Sequence, residues 1–151
     1  MGQLLGIAVR SATRAPMETK QCVQITEQSG VEGDYRGKYG PRQITVLSQE
    51  AWNEACKDVQ TELPWTTRRA NLLISGLELE QTTRKILQIG DVRLAITGET
   101  EPCERMDMQH QGLRKTLTPA WRGGVTCFVM TEGEIQVGDE VELLSSTDSS
   151  D

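Results

Sequence analysis

A single histidine, His110, and the absence of any Cys-x-x-Cys pair leave the sequence without the ligand spacing of a zinc site. The four cysteines, Cys22, Cys56, Cys103 and Cys127, stand 34, 47 and 24 positions apart, and free thiols are the expectation for a cytoplasmic protein of this size. No run approaches the roughly 18 consecutive apolar residues of a membrane-spanning helix. The opening "MGQLLGIAVRSATRAPM" has no basic flank leading into a long apolar segment, and Gly6 stands where myristoylation needs Ser or Thr, so a cytoplasmic location with no membrane partner is expected. Cationic excess is missing too. With 22 acidic against 16 basic residues and a net charge of -6, a nucleic-acid partner is not expected, because that binding rests on neutralising phosphates. Aromatic residues make up only 4 %, which calls for a mostly aliphatic core.

What is present suits one ordinary domain. The 151 residues, 36 % apolar and 25 % charged, are enough to bury well over half of the unfolded surface without staples. Apolar residues alternate between turn residues in "LLGIAV" (4–9), "QITVLS" (43–48), "NLLIS" (71–75), "GVTCFVM" (124–130) and "EIQVGDEVELL" (134–144), a strand pattern throughout. In "KILQIGDVRLAIT" (85–97), Gly90 and Asp91 mark a tight reversal between two such arms. Strands at this spacing point to a barrel or sandwich. One helix interrupts them. Ser48 is its N-cap, Glu50 meets the positive end of its dipole, and Ala51, Trp52, Ala55, Cys56 and Val59 recur at helical spacing. Residues 104–117 form a second helix or an irregular loop, and 145–151 a disordered polar tail, leaving 1–144 as a single domain. The echo of "LQIGD" (87–91) in "IQVGD" (135–139) reads either as two equivalent strand ends or as one turn chemistry used twice.

Periodicity places Cys56 on the buried helix face and Cys127 inside a strand, while the face of Cys22 is open. Cys103 is different. It follows Pro102 directly after a strand, where sites tend to be built, yet Glu99, Glu101, Glu104 and Asp107 surround it and only Arg105 opposes them. Either it is a merely exposed cysteine, or it is a reactive thiol whose cations come from elsewhere in the fold. Arg36, Lys38, Arg42, Arg68, Arg69 and Arg122 are the candidate suppliers. Each basic cluster could equally be a solvated surface feature, and His110 reads as a solvated loop residue.

Four stretches, "GVEGDYRG" (30–37), "RRANLLISGLEL" (68–79), "IGDVRLAITGETEPCERM" (89–106) and "RGGVTCFVMTEGEIQVGDEVEL" (122–143), resemble in content and order the MOSC domain family. That family includes the C-terminal part of molybdenum cofactor sulfurases, amidoxime-reducing molybdenum enzymes and free-standing bacterial proteins. The resemblance implies a compact mixed β-barrel of the pyruvate-kinase-barrel kind, mainly β with a few short helices. It implies a molybdenum cofactor (molybdopterin) with Cys103 as catalytic residue and metal ligand, or alternatively Cys103 as a persulfide-bearing sulfur carrier without turnover of its own. A soft thiolate suits both roles. The resemblance puts Arg69 and Asn71 beside the cofactor, with Arg68 and Pro102 adjacent and Arg36, Lys38 or Arg42 at the anionic end. Pyridoxal phosphate binding enters only at family level, through a separate domain of the sulfurases. An electron-donor protein or a cysteine desulfurase is the implied partner. The chain departs from the family in having no histidine in the loop after Gly33-Asp34.

Overall fold

A computed structural model describes residues 1–145, so all but Ser145 of the tail expected at 145–151 lies outside the described residues. Eleven strands and three short helices are present among them: β1 (Gly2–Val9), β2 (Glu18–Lys20), β3 (Cys22–Thr26), β4 (Gly30–Val31), β5 (Ile44–Ser48), α1 (Gln49–Asp58), β6 (Leu72–Ser75), β7 (Ile86–Ile89), β8 (Val92–Glu99), α2 (Glu104–Gln109), α3 (Leu113–Leu117), β9 (Val125–Thr131), β10 (Gly133–Gln136) and β11 (Glu140–Leu144). Seven of them close on themselves in the order β1, β11, β7, β8, β9, β5, β6. All neighbours are antiparallel except β5 and β6. The mixed β-barrel expected from the resemblance is therefore the observed fold. Beyond its pairing with β11 at Gly2 and Gln3, the same edge of β1 carries β2 at Ile7 to Val9.

Strand alternation explains the two cores. Val46, Leu72 and Ile74 point into the barrel with Leu4, Ile7, Leu94, Ile96 and Val129, whereas Leu47 and Leu73 point outwards beneath the helices. Both faces of β5 and β6 are thus buried, as befits the one parallel pair, whose crossover carries α1. Ser48 Oγ caps α1 by accepting the Ala51 N–H at 3.2 Å, and Trp52, Ala55 and Cys56 face the second core with Met106, Leu113 and Leu117. Gly124, at φ +98, sits so close to β5 that a Cβ there would lie 2.2 Å from Val46 O, so the entry to β9 requires glycine.

Three details differ from or refine the sequence expectation. The stretch 134–144 is two strands in different sheets, because β10 pairs with β3 in a small three-stranded sheet while β11 joins the barrel. The two Gly-Asp turns are therefore not equivalent strand ends. The first closes the β7–β8 hairpin, and the second hands the chain from the small sheet to the barrel. The helical segment after Cys103 is broken into α2 and α3 by Gly112 at φ +89.

Gln43 sutures these parts. It is 2 % exposed, its Nε2 donates to Glu27 O at 2.7 Å and Gly37 O at 2.9 Å, and its Oε1 accepts the Val129 N–H at 2.9 Å. One side chain thereby joins the small sheet's turn, the loop before β5, and β9. Gln43→Leu strands three backbone groups and is expected to lower unfolding free energy by about 2–4 kcal/mol in chemical denaturation. A loss below about 0.5 kcal/mol, the level of an ordinary surface change, would show that these groups find other partners.

Candidate functional site

The C-terminal ends of β1 and β8 and the segments leading into β5, β6 and β9 converge on a cleft of about 850 Å³, with α2 along one side. Seven arginines and one lysine line it against two acids, Asp34 and Glu101, an excess of six positive charges. Cys103, Arg68, Arg69, Asn71, Arg36, Lys38 and Arg42 all line this cleft. Positions from 36 to 103 are brought together because β5, β6, β8 and β9 sit in one barrel wall. Pro102 is half-buried beside Gly123 and is not among the lining residues.

Cys103 is exposed and occupies the N-cap position of α2. The cation set against it is Arg68 rather than Arg69. Arg68 is 8 % exposed, its Nε donates to Gly123 O at 3.1 Å and its Nη2 to Thr100 O at 2.9 Å. Burial lowers its pKa, the charge of the Cys103 thiolate pushes it back up, and Arg42 lowers it further. Arg69 adopts the left-handed conformation at φ +65, which sends its side chain the other way, to donate to Ala15 O. There it meets Arg10. The Arg10 pKa is lowered first by burial and then by Arg69, with the Tyr35 and Asp34 side chains opposing. The Arg10 guanidinium lies 5.2 Å over the Tyr35 ring. The Tyr35 hydroxyl accepts from Thr13 Oγ1 and from Arg36 Nε, each at 3.0 Å, which lowers its own pKa.

The loop carrying Arg36, Lys38 and Arg42 is held at both ends. Asp34 Oδ1 accepts the Arg10 N–H at 3.1 Å, and Thr97 Oγ1 donates to Pro41 O. Asn71 has its amide engaged within the protein: Oδ1 accepts the Thr45 N–H at 3.1 Å and Nδ2 donates to Ala8 O at 3.3 Å. It braces the approach to β6 between β1 and β5. The acids around Cys103 are dispersed. Only Glu101 lines the cleft; Asp107 accepts the Arg114 N–H at 3.1 Å, Glu104 faces solvent, and burial together with Glu101 raises the Glu99 pKa. Arg122 is not a supplier of cleft charge, for it pairs with Asp58 at 2.7 Å in a separate shallow depression. His110 Nε2 lies 3.4 Å from Thr61 Oγ1 and does not line the cleft.

Arg10, Arg14 and Thr100 were not anticipated as lining residues. The available signal for the arginines was a pair of cations just after the first strand, but nothing local tied them to positions 60 residues away. Among the described residues no cluster of three or more His, Cys, Asp or Glu side chains is placed to hold a metal ion. No helix among them is long and apolar enough to cross a membrane.

The fold and site define a small mixed β-barrel with an exposed thiol beside an arginine-lined cleft. A MOSC domain model matches residues 34–142, and the chain belongs to the MOSC domain family. No curated protein matches the sequence. Among solved structures the chain is similar to the YuaD protein of Bacillus subtilis (TM-score 0.81, 19 % identity, over 96 % of this chain and 97 % of that one). It is also similar to YiiM of Geobacillus stearothermophilus (0.73, 18 %, 96 % and 76 %) and YiiM of Escherichia coli (0.72, 15 %, 95 % and 70 %). At these identities the likeness is one of fold.

The four thiols sort by environment. Cys22 and Cys103 are exposed, Cys56 is buried under α1, and burial pushes the Cys127 thiol far above its ordinary pKa. Brief alkylation of the native protein, read by peptide mass spectrometry, is expected to label Cys22 and Cys103 alone, with Cys56 and Cys127 reacting only after denaturation. Labelling of native Cys127 as fast as Cys103 would contradict the strand assignment.

Proposed function

We propose that the cleft binds a molybdopterin-type molybdenum cofactor, with Cys103 Sγ as the protein's ligand to the metal, and that the protein reduces small N-hydroxylated compounds. The observation that carries this reading is the exposed Cys103 thiol set beside the buried Arg68 at the edge of a cleft with six excess positive charges. The residues fit such a group. A thiolate is a soft, electron-donating ligand, the cationic lining suits a ligand ending in phosphate, and the volume is that of an ordinary cofactor site. When bound, the molybdenum supplies two-electron redox chemistry that no side chain here offers.

The chain's own residues have separable tasks. Cys103 holds the metal, and Arg68 stabilises the negative sulfur while fixing the end of β8. Arg69, Arg10 and Arg36, which crowd one another at the far side of the cleft, neutralise the anionic end of the ligand; Lys38 and Arg42 extend that field. Asn71 and Asp34 act on the frame, holding the β6 approach and the loop at 34–42. Electrons come from a separate donor protein.

A second reading has its own support. No other cysteine lines the cleft, so a persulfide on Cys103 would not be resolved into an intramolecular disulfide there. In that role Sγ accepts a sulfur atom from a cysteine desulfurase and passes it on, without turnover of its own.

Purification from cells that make the cofactor, with molybdenum and pterin measured in the wild type and in Cys103→Ser, separates the two. Stoichiometric metal that is lost in the variant is the expected result. Metal-free protein with one added sulfur on Cys103 favours the carrier, and finding neither defeats both.

A further inference from the structure

Thr100 carries an unexplained polar atom. Its backbone is fully engaged: the N–H donates to Gly124 O at 2.8 Å and the carbonyl accepts Arg68 Nη2 at 2.9 Å. Its side chain is not. Thr100 is 9 % exposed, and its Oγ1 is the one buried side-chain nitrogen or oxygen among the described residues with no hydrogen-bond partner. Neighbouring threonines show how readily the fold satisfies such groups. Thr97 and Thr126 bond to each other at 2.6 Å, and Thr45 Oγ1 accepts the Asn71 N–H at 3.1 Å. A buried hydroxyl left alone costs stability, and a valine of nearly the same shape would not incur that cost.

The position of the orphan gives it a use. Thr100 lines the cleft three residues before Cys103, beside Arg68. Two of the three guanidinium nitrogens of Arg68 are committed to carbonyls, and Nη1 donates to no protein group among the described residues. Arg42 adds positive charge to the same spot. A group that enters there meets Arg68 Nη1 and the field of Arg42 in a cleft whose cations outnumber its two acids, Asp34 and Glu101, which favours an anion or a strong acceptor, and a hydroxyl beside it donates.

We propose that Thr100 is a ligand-binding residue whose hydroxyl donates a hydrogen bond to an oxygen or sulfur acceptor atom of the anionic group held at Cys103, alongside Arg68. The identity of that group as a molybdenum cofactor rests on the function proposed above. The donor site itself is a property of this chain and is testable without the cofactor.

Thr100→Val removes the donor and keeps the shape, whereas Thr100→Ser keeps the donor. In cofactor-free protein from cells that cannot make the cofactor, Thr100→Val is expected to melt at or above the wild-type temperature. Its affinity for molybdate, used as the oxyanion probe in calorimetry, falls about tenfold or more, and Thr100→Ser stays close to wild type. In protein from cofactor-competent cells, molybdenum content falls in Thr100→Val and is retained in Thr100→Ser. A Thr100→Val protein that melts lower or fails to fold would show that the hydroxyl serves the frame. Molybdate affinity and metal content unchanged in Thr100→Val would equally overturn the assignment. If wild type carries no cofactor but Thr100→Val still loses molybdate, the cofactor reading fails and the Thr100 site stands; absence of molybdate binding by the wild type defeats the Thr100 site.

Discussion

The guanidinium of Arg68 is the tie on which this site depends. Three chain segments that are distant in sequence, the turn before β6, the end of β8 and the entry to β9, meet where its nitrogens reach the carbonyls of Thr100 and Gly123. A buried cation is tolerated only where partners replace its water, and the carbonyls of Thr100 and Gly123 do so. The same packing dictates glycine at 123. A Cβ there would stand 2.6 Å from Thr100 O and 3.1 Å from Arg68 Nη2, displacing the tie itself. Holding Thr100 in place holds the short segment that ends in Cys103, so the geometry of the thiol is inherited from a hydrogen-bonded cation.

Beyond that tie the cleft is under-neutralised. Burial, Arg69 and Arg36 lower the basicity of Arg10, and Tyr35 and Asp34 offset this only in part. Like charges gathered without counter-charges are costly unless a ligand supplies them, which is why the arrangement reads as a receptor for an anion and not as a stabilising network. Tyr35, drawn in by Thr13 and Arg36, provides a polar surface for this cluster rather than an apolar one.

Much of the barrel was legible because β1, β5, β6, β7, β8 and β9 alternate apolar and polar residues or run apolar where both faces are buried. The capped amphipathic helix α1 was equally plain, and with it the burial of Cys56. The small sheet and the edge strand β2 were not, since β4 is two residues long and β2 reads "ETK", leaving no pattern to see. Within the site, gathering Cys103, Arg69 and the loop at 34–42 was within reach of sequence motifs. The division of labour between Arg68 and Arg69 was not. A single left-handed residue sends adjacent arginines to different ends of the cleft, and composition carries no trace of that φ angle. Asn71, which the family resemblance puts beside the cofactor, lines the cleft with its amide bonded to Thr45 and Ala8. Of the acids crowding Cys103 in sequence, Glu101 alone lines the cleft, while Asp107 accepts the Arg114 N–H and Glu104 faces solvent.

The cleft's excess of six positive charges sits in a chain of net charge -6, so the rest of the molecule carries twelve negative charges in excess. Charge is therefore unevenly shared between the cleft and the remainder of the chain. The cationic lining of the cleft raises the local concentration of a small anion at its mouth. Such focusing fades as salt shortens the screening length towards the size of the opening. A chain of net negative charge thus still presents a local positive field to a small anion.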